Sequence, residues 1–588
     1  MDINKKIDFI HNFIRASNPA TGSEVDSNAN VTVKSLAVME AELFKRDFID
    51  VNRAMVMQKL ETMYGYDVAK QYYNDIKDHL IYIHDETSLR PYCVSVSLYP
   101  FLLEGTKNLG GTSKAPTNLQ SFCGSFVNLV YQIASDFAGA VATVEFLMYF
   151  DYFARKQYGK GYLVHNYKEI KQEFQGVVYA MNQPAAARGS QSVFWNISVF
   201  DKGYFESLFG EFYFPDGSKP DYTSVKRLQE CFMNWFAEER TKELLTFPVL
   251  TAAYLVDKET RKPVDVGFEY FLAKSMSDGL SFFHYESDSA DSLASCCRLR
   301  NELADNTFSY TLGAGGVSTG SYQVITINFN RLYQKRYSLI ETMQRVHKYL
   351  MAHRAIVSEY LEAGMLPSYS AGYISIDKQF GTIGINGALE AYEYLRKEFN
   401  YGKTLKEFLC DNLALIKAMN KEALSYYGVR FNTEFVPAEN LGVKNAKWDK
   451  EDGLYVPRDC YNSYFYPVED TSLSVLDRLD AHAWDVSQFL DGGAACHLNL
   501  EQLPNEAQAI KLIEIAAKKG VPYWTTNVLC TICKDCERID PVTRQTCKYC
   551  GSNNLDYGTR VIGYLKPISS FSEGRQKEAA MRSYMKGV

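Results

Sequence analysis

The chain has 588 residues, 46% hydrophobic and 23% charged, a composition that excludes disordered and fibrous classes and leaves ample apolar material for large cores. At roughly 150 residues per domain the length suggests about four units, although barrel enzymes fold several hundred residues around one core. A net charge of −7 provides no basic footprint, so nucleic acid is not an expected partner.

The first residues, MDINKKIDFIHNFIRASNPATG, lack the apolar core and small-residue cleavage site of a secretory signal. The most apolar stretch, Phe137 to Phe150, is too short to span a bilayer and contains Glu145. A soluble cytoplasmic protein without a membrane partner is expected. In that compartment thirteen cysteines point to metal binding, redox chemistry or core packing, because thiols stay reduced.

In chain order, Leu36 to Leu80 carry periodically apolar, helix-forming sequence that gives way to the strand-like IYIHD at Ile81 to Asp85. Short β-branched runs follow at Gln323 to Phe329 (QVITINF) and Gly372 to Ile376 (GYISI). Between them a long amphipathic helix is closed by Gly364. Strand, helix and strand in alternation argue an α/β architecture. The glycines of FGTIGINGALEA, at 381, 384 and 387 before a helical pattern, offer backbone N–H groups suited to phosphate, a weak signal that tight loop packing explains equally well.

Near Tyr523 the character shifts. The segment CTICKDCERIDPVTRQTCKYCGS places cysteines at 530, 533, 536, 547 and 550. Two CxxC pairs across a short loop let four thiolates converge tetrahedrally, the arrangement preferred by structural Zn²⁺. Five cysteines compete for four positions, so the first pair is Cys530 with Cys533 or Cys533 with Cys536; the reading adopted takes Cys533, Cys536, Cys547 and Cys550. Four thiolates leave no open coordination position, which makes the role structural.

Soon afterwards the chain reads RVIGYLKP from Arg560, with Gly563 inside it. A cysteine ribbon followed closely by RVxGYL resembles the class III, anaerobic ribonucleotide reductases. Further blocks are similar to that family in order: VDSNANV at residues 25 to 31, IYIHD leading to Cys93 in RPYCVSV, MNQPAAARGSQSVFWNIS at Met181 to Ser198, and LTFPVLT at Leu245 to Thr251. Then come SCCRLR at Ser295 to Arg300, STGSYQVITINFNRL at Ser318 to Leu332, FGTIGINGALEA at Phe380 to Ala391, and FVPAENL at Phe435 to Leu441.

The resemblance implies a ten-stranded α/β barrel of the glycyl radical enzyme type over residues 1–522, with an N-terminal helical region. A zinc module over 523–556 and a glycyl radical loop with the tail over 557–588 would follow. It implies a backbone radical stored on Gly563, installed by an S-adenosylmethionine-dependent iron–sulfur activase. A Cα radical flattens and is delocalised by the flanking amides, which only a residue without Cβ allows unhindered; glycine's ordinary role is to supply a positive φ.

In the family a transient thiyl stands directly before an arginine, which selects Cys297 over its neighbour Cys296. Cys93 matches the second cysteine, on the opposite ribose face. The ordinary role of a free cysteine is that of a small buried hydrophobe, and it is the one assigned to Cys123, Cys231, Cys410, Cys460 and Cys496. His84 orders the Cys93 segment or is a hydrogen-bonded core histidine.

Two departures from the family stand out. Many members begin with an ATP-binding cone, whereas the asparagine-rich segment here starts within thirty residues of Met1, so no cone is expected, although nucleotide effectors bound elsewhere remain compatible. Formate-oxidising members carry an asparagine before the strand at 323–329. Here the stretch is Thr319, Gly320, Ser321, Tyr322, which favours a dithiol reductant, thioredoxin or glutaredoxin-like, with Cys93 in a transient disulfide.

The expected activity is reduction of ribonucleoside triphosphates to deoxyribonucleotides by a homodimer. The competing readings are another glycyl radical enzyme, of the formate-lyase or diol dehydratase type, and a zinc-ribbon binding protein. The first competitors lack a cysteine ribbon before the glycine, and the second predicts salt-sensitive nucleic-acid binding.

Overall fold

The computed structural model describes residues 3–19, 31, 33–185, 191–290, 292–294, 300–302, 318–435, 440–560 and 563–585, the two short segments at 292–294 and 300–302 by backbone alone. The first half of the chain supplies strands β1 (Ile81–Ile83), β2 (Cys93–Ser95), β3 (Val141–Ala142), β4 (Trp195–Phe200), β5 (Val249–Leu255) and β6 (Phe283–Ser287). Strands β7 (Ser292–Ala294) and β8 (Arg300–Glu302) pair antiparallel with each other. The second half supplies β9 (Thr319–Asn328), β10 (Gln379–Asn386), β11 (Phe431–Phe435), β12 (Cys496–Leu500) and β13 (Tyr523–Val528).

Ten of these lie in one sheet in the order β11-β10-β9-β2-β3-β4-β5-β6-β13-β12, with β1 added beside β9. Strands β2 to β6 are mutually parallel, and so are β9 with β10 and β11 and β12 with β13. The two sets meet antiparallel at both seams, β2 against β9 and β6 against β13. The ends of the order also meet just before β12: Glu434 bridges Gly493 in parallel, and Gly492 N–H donates to the Thr433 carbonyl at 2.8 Å. Two five-stranded parallel halves thus wrap into the ten-stranded α/β barrel.

Parallel strands need cover on both faces, and their sequences read accordingly. All ten residues of β9 are buried. Outward side chains, such as Val94, Trp195, Ile197 and Leu498, join one large apolar cluster with the helices of the first half. Ile325, Ile327, Ile383 and Ile385 join a second with the helices Leu36–Tyr64, Leu339–Glu362 and Leu405–Tyr427. Local signals fix several helix ends: Thr404 and Glu407 form a reciprocal cap at the start of the last of these, and Gly364 takes the left-handed conformation (φ 70°) just past the long helix.

GYISI is not a strand. That stretch is a turn running into a short 3-10 segment at Ile376–Lys378, and the strand is β10, inside FGTIGIN. Glycine hides it: a Cβ at Gly381 would stand 2.4 Å from the Tyr322 hydroxyl and 2.9 Å from the Phe431 ring, so the position excludes the β-branched residues that usually mark a strand.

A second sheet, in the order β15-β14-β16-β17, comprises β14 (Cys530–Cys533), β15 (Ile539–Asp540), β16 (Leu555–Arg560) and β17 (Leu565–Pro567). With Tyr523–Val528 inside the barrel, this small module starts at Cys530. The cysteine ribbon and the glycine-bearing hairpin are therefore one sheet. A final helix, Glu573–Met581, follows. Among the described residues, no helix is long and apolar enough to cross a membrane.

Candidate active site

Alternation along each strand puts the residues opposite the apolar clusters inside the barrel. That interior is polar: Cys93 and Ser95 of β2, Asn196 and Ser198 of β4, Ser321 of β9, Thr382 of β10, Asn432 of β11, Asn499 of β12 and Asn527 of β13, all at most 5% exposed. Some partner one another. Thr382 donates to the Ser321 hydroxyl and Asn527 to the Asn499 amide oxygen, each at 2.8 Å. Others have no partner among the described residues, namely Ser95 Oγ, Asn196 Nδ2, Asn499 Nδ2 and both amide atoms of Asn432. An unsatisfied buried polar group costs about 1–3 kcal/mol, and a set of them around one interior suits a polyhydroxylated ligand that would complete their hydrogen bonds.

Cys93 opens β2 at the antiparallel seam, directly opposite Ser321. Its Sγ accepts the Ala140 N–H at 3.2 Å, and Gly139 leaves just enough room for the sulfur. His84 is buried, its Nε2 2.8 Å from Thr326 Oγ1, with its ring edge-on to Tyr92 at 5.9 Å. It is a hydrogen-bonded core histidine that also braces the residue before Cys93. Cys297 and its neighbour Cys296 lie outside the described residues, as does most of VDSNANV.

Gly563 is buried and lies between Arg560 and Leu565, which pair across β16 and β17. The hairpin is fastened to the barrel interior: Arg560 N–H donates to Asn527 Oδ1 at 3.2 Å, and Asn527 Nδ2 donates to Thr559 Oγ1 at 2.9 Å. Tyr564 meets the Phe194 ring edge-on at 5.0 Å and packs on Phe247. Phe194 in turn packs against Cys93 and Ala140. One aromatic layer therefore joins the residue following Gly563 to the cysteine of β2.

At the far end of the same sheet the Sγ atoms of Cys533, Cys536, Cys547 and Cys550 all lie within 4.8 Å of one another. Cys533 and Cys550 are 3.6 Å apart, as are Cys536 and Cys547. A tetrahedral Zn²⁺ with bonds of about 2.3 Å requires sulfurs about 3.8 Å apart, so the four residues fit the ion. Cys530 stands apart on β14, its thiol donating to the Gly558 carbonyl at 3.5 Å, and burial pushes its pKa up to about 12. The four-sulfur cluster found among the described residues thus includes Cys536 and not Cys530. Both knuckles turn through a left-handed residue after the second cysteine, Gly551 (φ 75°) and Glu537 (φ 60°).

Comparison with known proteins agrees with this geometry. A family model for anaerobic ribonucleoside-triphosphate reductase matches residues 41–584. The chain belongs to that family. The reductase is similar to a solved anaerobic ribonucleotide reductase at 26% identity and a TM-score of 0.85, covering 99% of this chain and 93% of the other. It is also similar to the Thermotoga maritima anaerobic ribonucleotide reductase in complex with dATP and CTP, at 26% identity, a TM-score of 0.81, and coverage of 99% and 98%. The same Thermotoga maritima enzyme with glycerol in its active site matches at 27% identity and a TM-score of 0.81, over 92% and 90% of the two chains. No curated protein matches by sequence.

Sequence reasoning missed the fastening of the reductase's glycine hairpin. Arg582 is buried and donates to the Arg560 carbonyl at 2.7 Å, while Glu578 accepts from Arg582 and Arg575. Burial works against the charge of Glu578, but Arg582 and Arg575 overcome it and hold the carboxyl below its ordinary value. The charged spacing of the last helix reads as a solvated face; only its place under the hairpin reveals the pairing. Of the five cysteines assigned to the core, Cys123, Cys460 and Cys496 are buried, whereas Cys231 and Cys410 are partly exposed.

Proposed function

We propose that this reductase removes the 2′-hydroxyl of ribonucleoside triphosphates by a radical relay in which Gly563 stores the unpaired electron, Cys297 becomes the thiyl and Cys93 donates hydrogen. The observation that carries the reading is the buried Gly563, held on a hairpin bonded to the barrel interior and one aromatic layer from Cys93. A thiyl at Cys297 takes the 3′-hydrogen, which weakens the adjacent C–O bond, so the 2′-hydroxyl leaves as water. The 3′-hydroxyl gives up its proton as the water departs, leaving a 2′-radical beside a 3′-ketone. Cys93 supplies a hydrogen atom to the 2′-carbon, and its sulfur bonds to a second thiolate. The disulfide radical anion so formed passes one electron, with a proton, to the ketone, giving a 3′-radical that takes the 3′-hydrogen back from Cys297. The net two electrons come from a dithiol protein, thioredoxin or glutaredoxin-like, through a transient disulfide that includes Cys93.

The polar groups inside the barrel that have no partner among the described residues would bind the ribose and orient it. Cys533, Cys536, Cys547 and Cys550 would hold one Zn²⁺, which stiffens the sheet that carries Gly563. A radical S-adenosylmethionine activase would install the radical. Effector control by nucleotides is supported by the Thermotoga maritima enzyme, whose structure has dATP bound in a specificity site. A homodimer is supported by the exposed stripe Phe44, Phe48, Val51 and Met55, one face of the helix Leu36–Tyr64.

The test is Cys297→Ala. Reduction should vanish while the fold and one Zn²⁺ per chain persist. Loss of zinc in that variant, or turnover at the parent rate, would refute this division of roles.

A further inference from the structure

Arg560 is a buried cation. Its side chain is 2% exposed, and among the described residues no carboxylate pairs with it. Instead Nε donates to Ser281 Oγ at 3.0 Å, the guanidinium lies 4.5 Å over the Phe283 ring, and Nη1 donates to the Gly563 carbonyl at 2.6 Å. Burial lowers its pKa to about 10, which leaves it charged at neutral pH. A second, partly buried arginine, Arg240, donates to the Ser281 carbonyl at 3.0 Å, so the neighbourhood is doubly positive. Removing a cation from water without a counter-charge is costly, and the acceptors its guanidinium meets among the described residues are the Ser281 hydroxyl and the carbonyl of the glycine that the proposed function requires.

The rest of the module holds this contact in place. Arg560 N–H is fixed by Asn527 and its carbonyl by Arg582. Arg582 itself is clamped by Glu578. Both the backbone and the guanidinium of Arg560 are thus set before any chemistry occurs, which is how a preorganised dipole acts without reorganisation.

We propose that Arg560 is a positioning residue that polarises the Gly563 carbonyl and thereby stabilises the radical on that glycine. This rests on the reading of Gly563 as the radical residue. When the Cα loses its hydrogen atom, spin and electron density spread from the amide nitrogen through Cα onto the carbonyl, whose oxygen becomes a better acceptor. A charge-assisted donor at 2.6 Å then binds the radical more tightly than the intact glycine. The effect is differential, so it shifts the balance between the glycyl radical and the thiyl it exchanges with.

The experiment uses full-length protein loaded by a family activase, comparing the parent with Arg560→Gln and Arg560→Lys by electron paramagnetic resonance. Zinc content and thermal unfolding serve as fold controls. With the carbonyl no longer polarised, Arg560→Gln should return spin to Cα, widening the α-proton splitting of the doublet and raising the largest g value, with radical per chain falling roughly tenfold or more. Arg560→Lys, which keeps a cationic donor, should lie closer to the parent. Loss of signal in Arg560→Gln alone would agree with the same expectation.

An Arg560→Gln spectrum identical to the parent in splitting, g values and yield would overturn the proposal. So would loss of signal in both variants with zinc and fold intact, which would mark the arginine as an activase contact. Absence of any radical in the parent, despite activase turnover, would defeat the Gly563 reading itself.

Discussion

Substituting Gly139 by alanine should disable Cys93 without touching it. A Cβ at position 139 would stand 2.5 Å from Cys93 Sγ and 2.9 Å from the Tyr92 carbonyl oxygen. Heavy atoms in contact settle at roughly 3.5–4.0 Å, so the sulfur must retreat by about 1 Å. The carbonyl cannot yield instead, because it accepts the Gly139 N–H at 2.5 Å just ahead of the parallel pairing of β2 with β3. As the sulfur swings it also gives up the Ala140 N–H.

Overpacking of this kind costs about 1–3 kcal/mol, a modest loss for a barrel of this size, whereas misplacing a reacting group by about 1 Å lowers the rate on the order of 100-fold. Gly139→Ala should therefore show a slightly lower unfolding temperature, a normal radical signal at Gly563 and a drop of about two orders of magnitude in anaerobic deoxyribonucleotide formation with a dithiol reductant. Turnover at the parent rate in a folded Gly139→Ala protein would refute the placement of Cys93 at the reacting face.

Three further outcomes are expected. Zinc should be present at one ion per chain, and its removal by a chelator should melt the sheet that carries Gly563 and prevent radical loading, as followed by hydrogen exchange in Leu555–Arg560. Glu537→Gly should slow that release, since a left-handed non-glycine residue (φ 60°) costs about 1 kcal/mol relative to glycine; faster release would contradict the knuckle geometry. Stability should fall as pH rises from about 4.5 to 8: burial raises Glu145 to about 8 despite its bonds from Leu98 and Ser97, and raises Glu286 to about 8 despite those from Trp524 and Tyr254. The folded state holds protons that the unfolded chain releases near pH 4–5, so this stability is complete below that range and is lost as pH climbs through 8. A Glu145→Gln, Glu286→Gln double variant should flatten the unfolding temperature across that window.

The parts of the molecule legible in the sequence are those whose chemistry is written in short spacing. Two CxxC pairs bring four sulfurs together within eighteen residues, from Cys533 to Cys550, and the RVIGYL motif places Gly563 in a single hairpin. The long helix ending at Gly364 is legible for the same reason, since its period and its stop are local. What was hidden depends on distant pairing. Cys93 sits beside Ser321 only because two parallel halves close antiparallel on each other, and no local pattern encodes that seam. Strand β10 was masked by glycines whose absent side chains make room for Tyr322 and Phe431. Arg560 was legible as a motif letter, but its hydrogen bond to Gly563 and the Arg582 clamp behind it emerge only when the final helix folds under the hairpin.

The proposed relay depends on Gly563 holding the radical. Anaerobic protein incubated with a family activase, S-adenosylmethionine and reductant should give a carbon-centred doublet by electron paramagnetic resonance, which collapses toward a singlet when the glycine is deuterated at Cα and is absent from Gly563→Ala. A blank spectrum from the parent, with the activase turning over, zinc bound and the fold intact, would contradict the account.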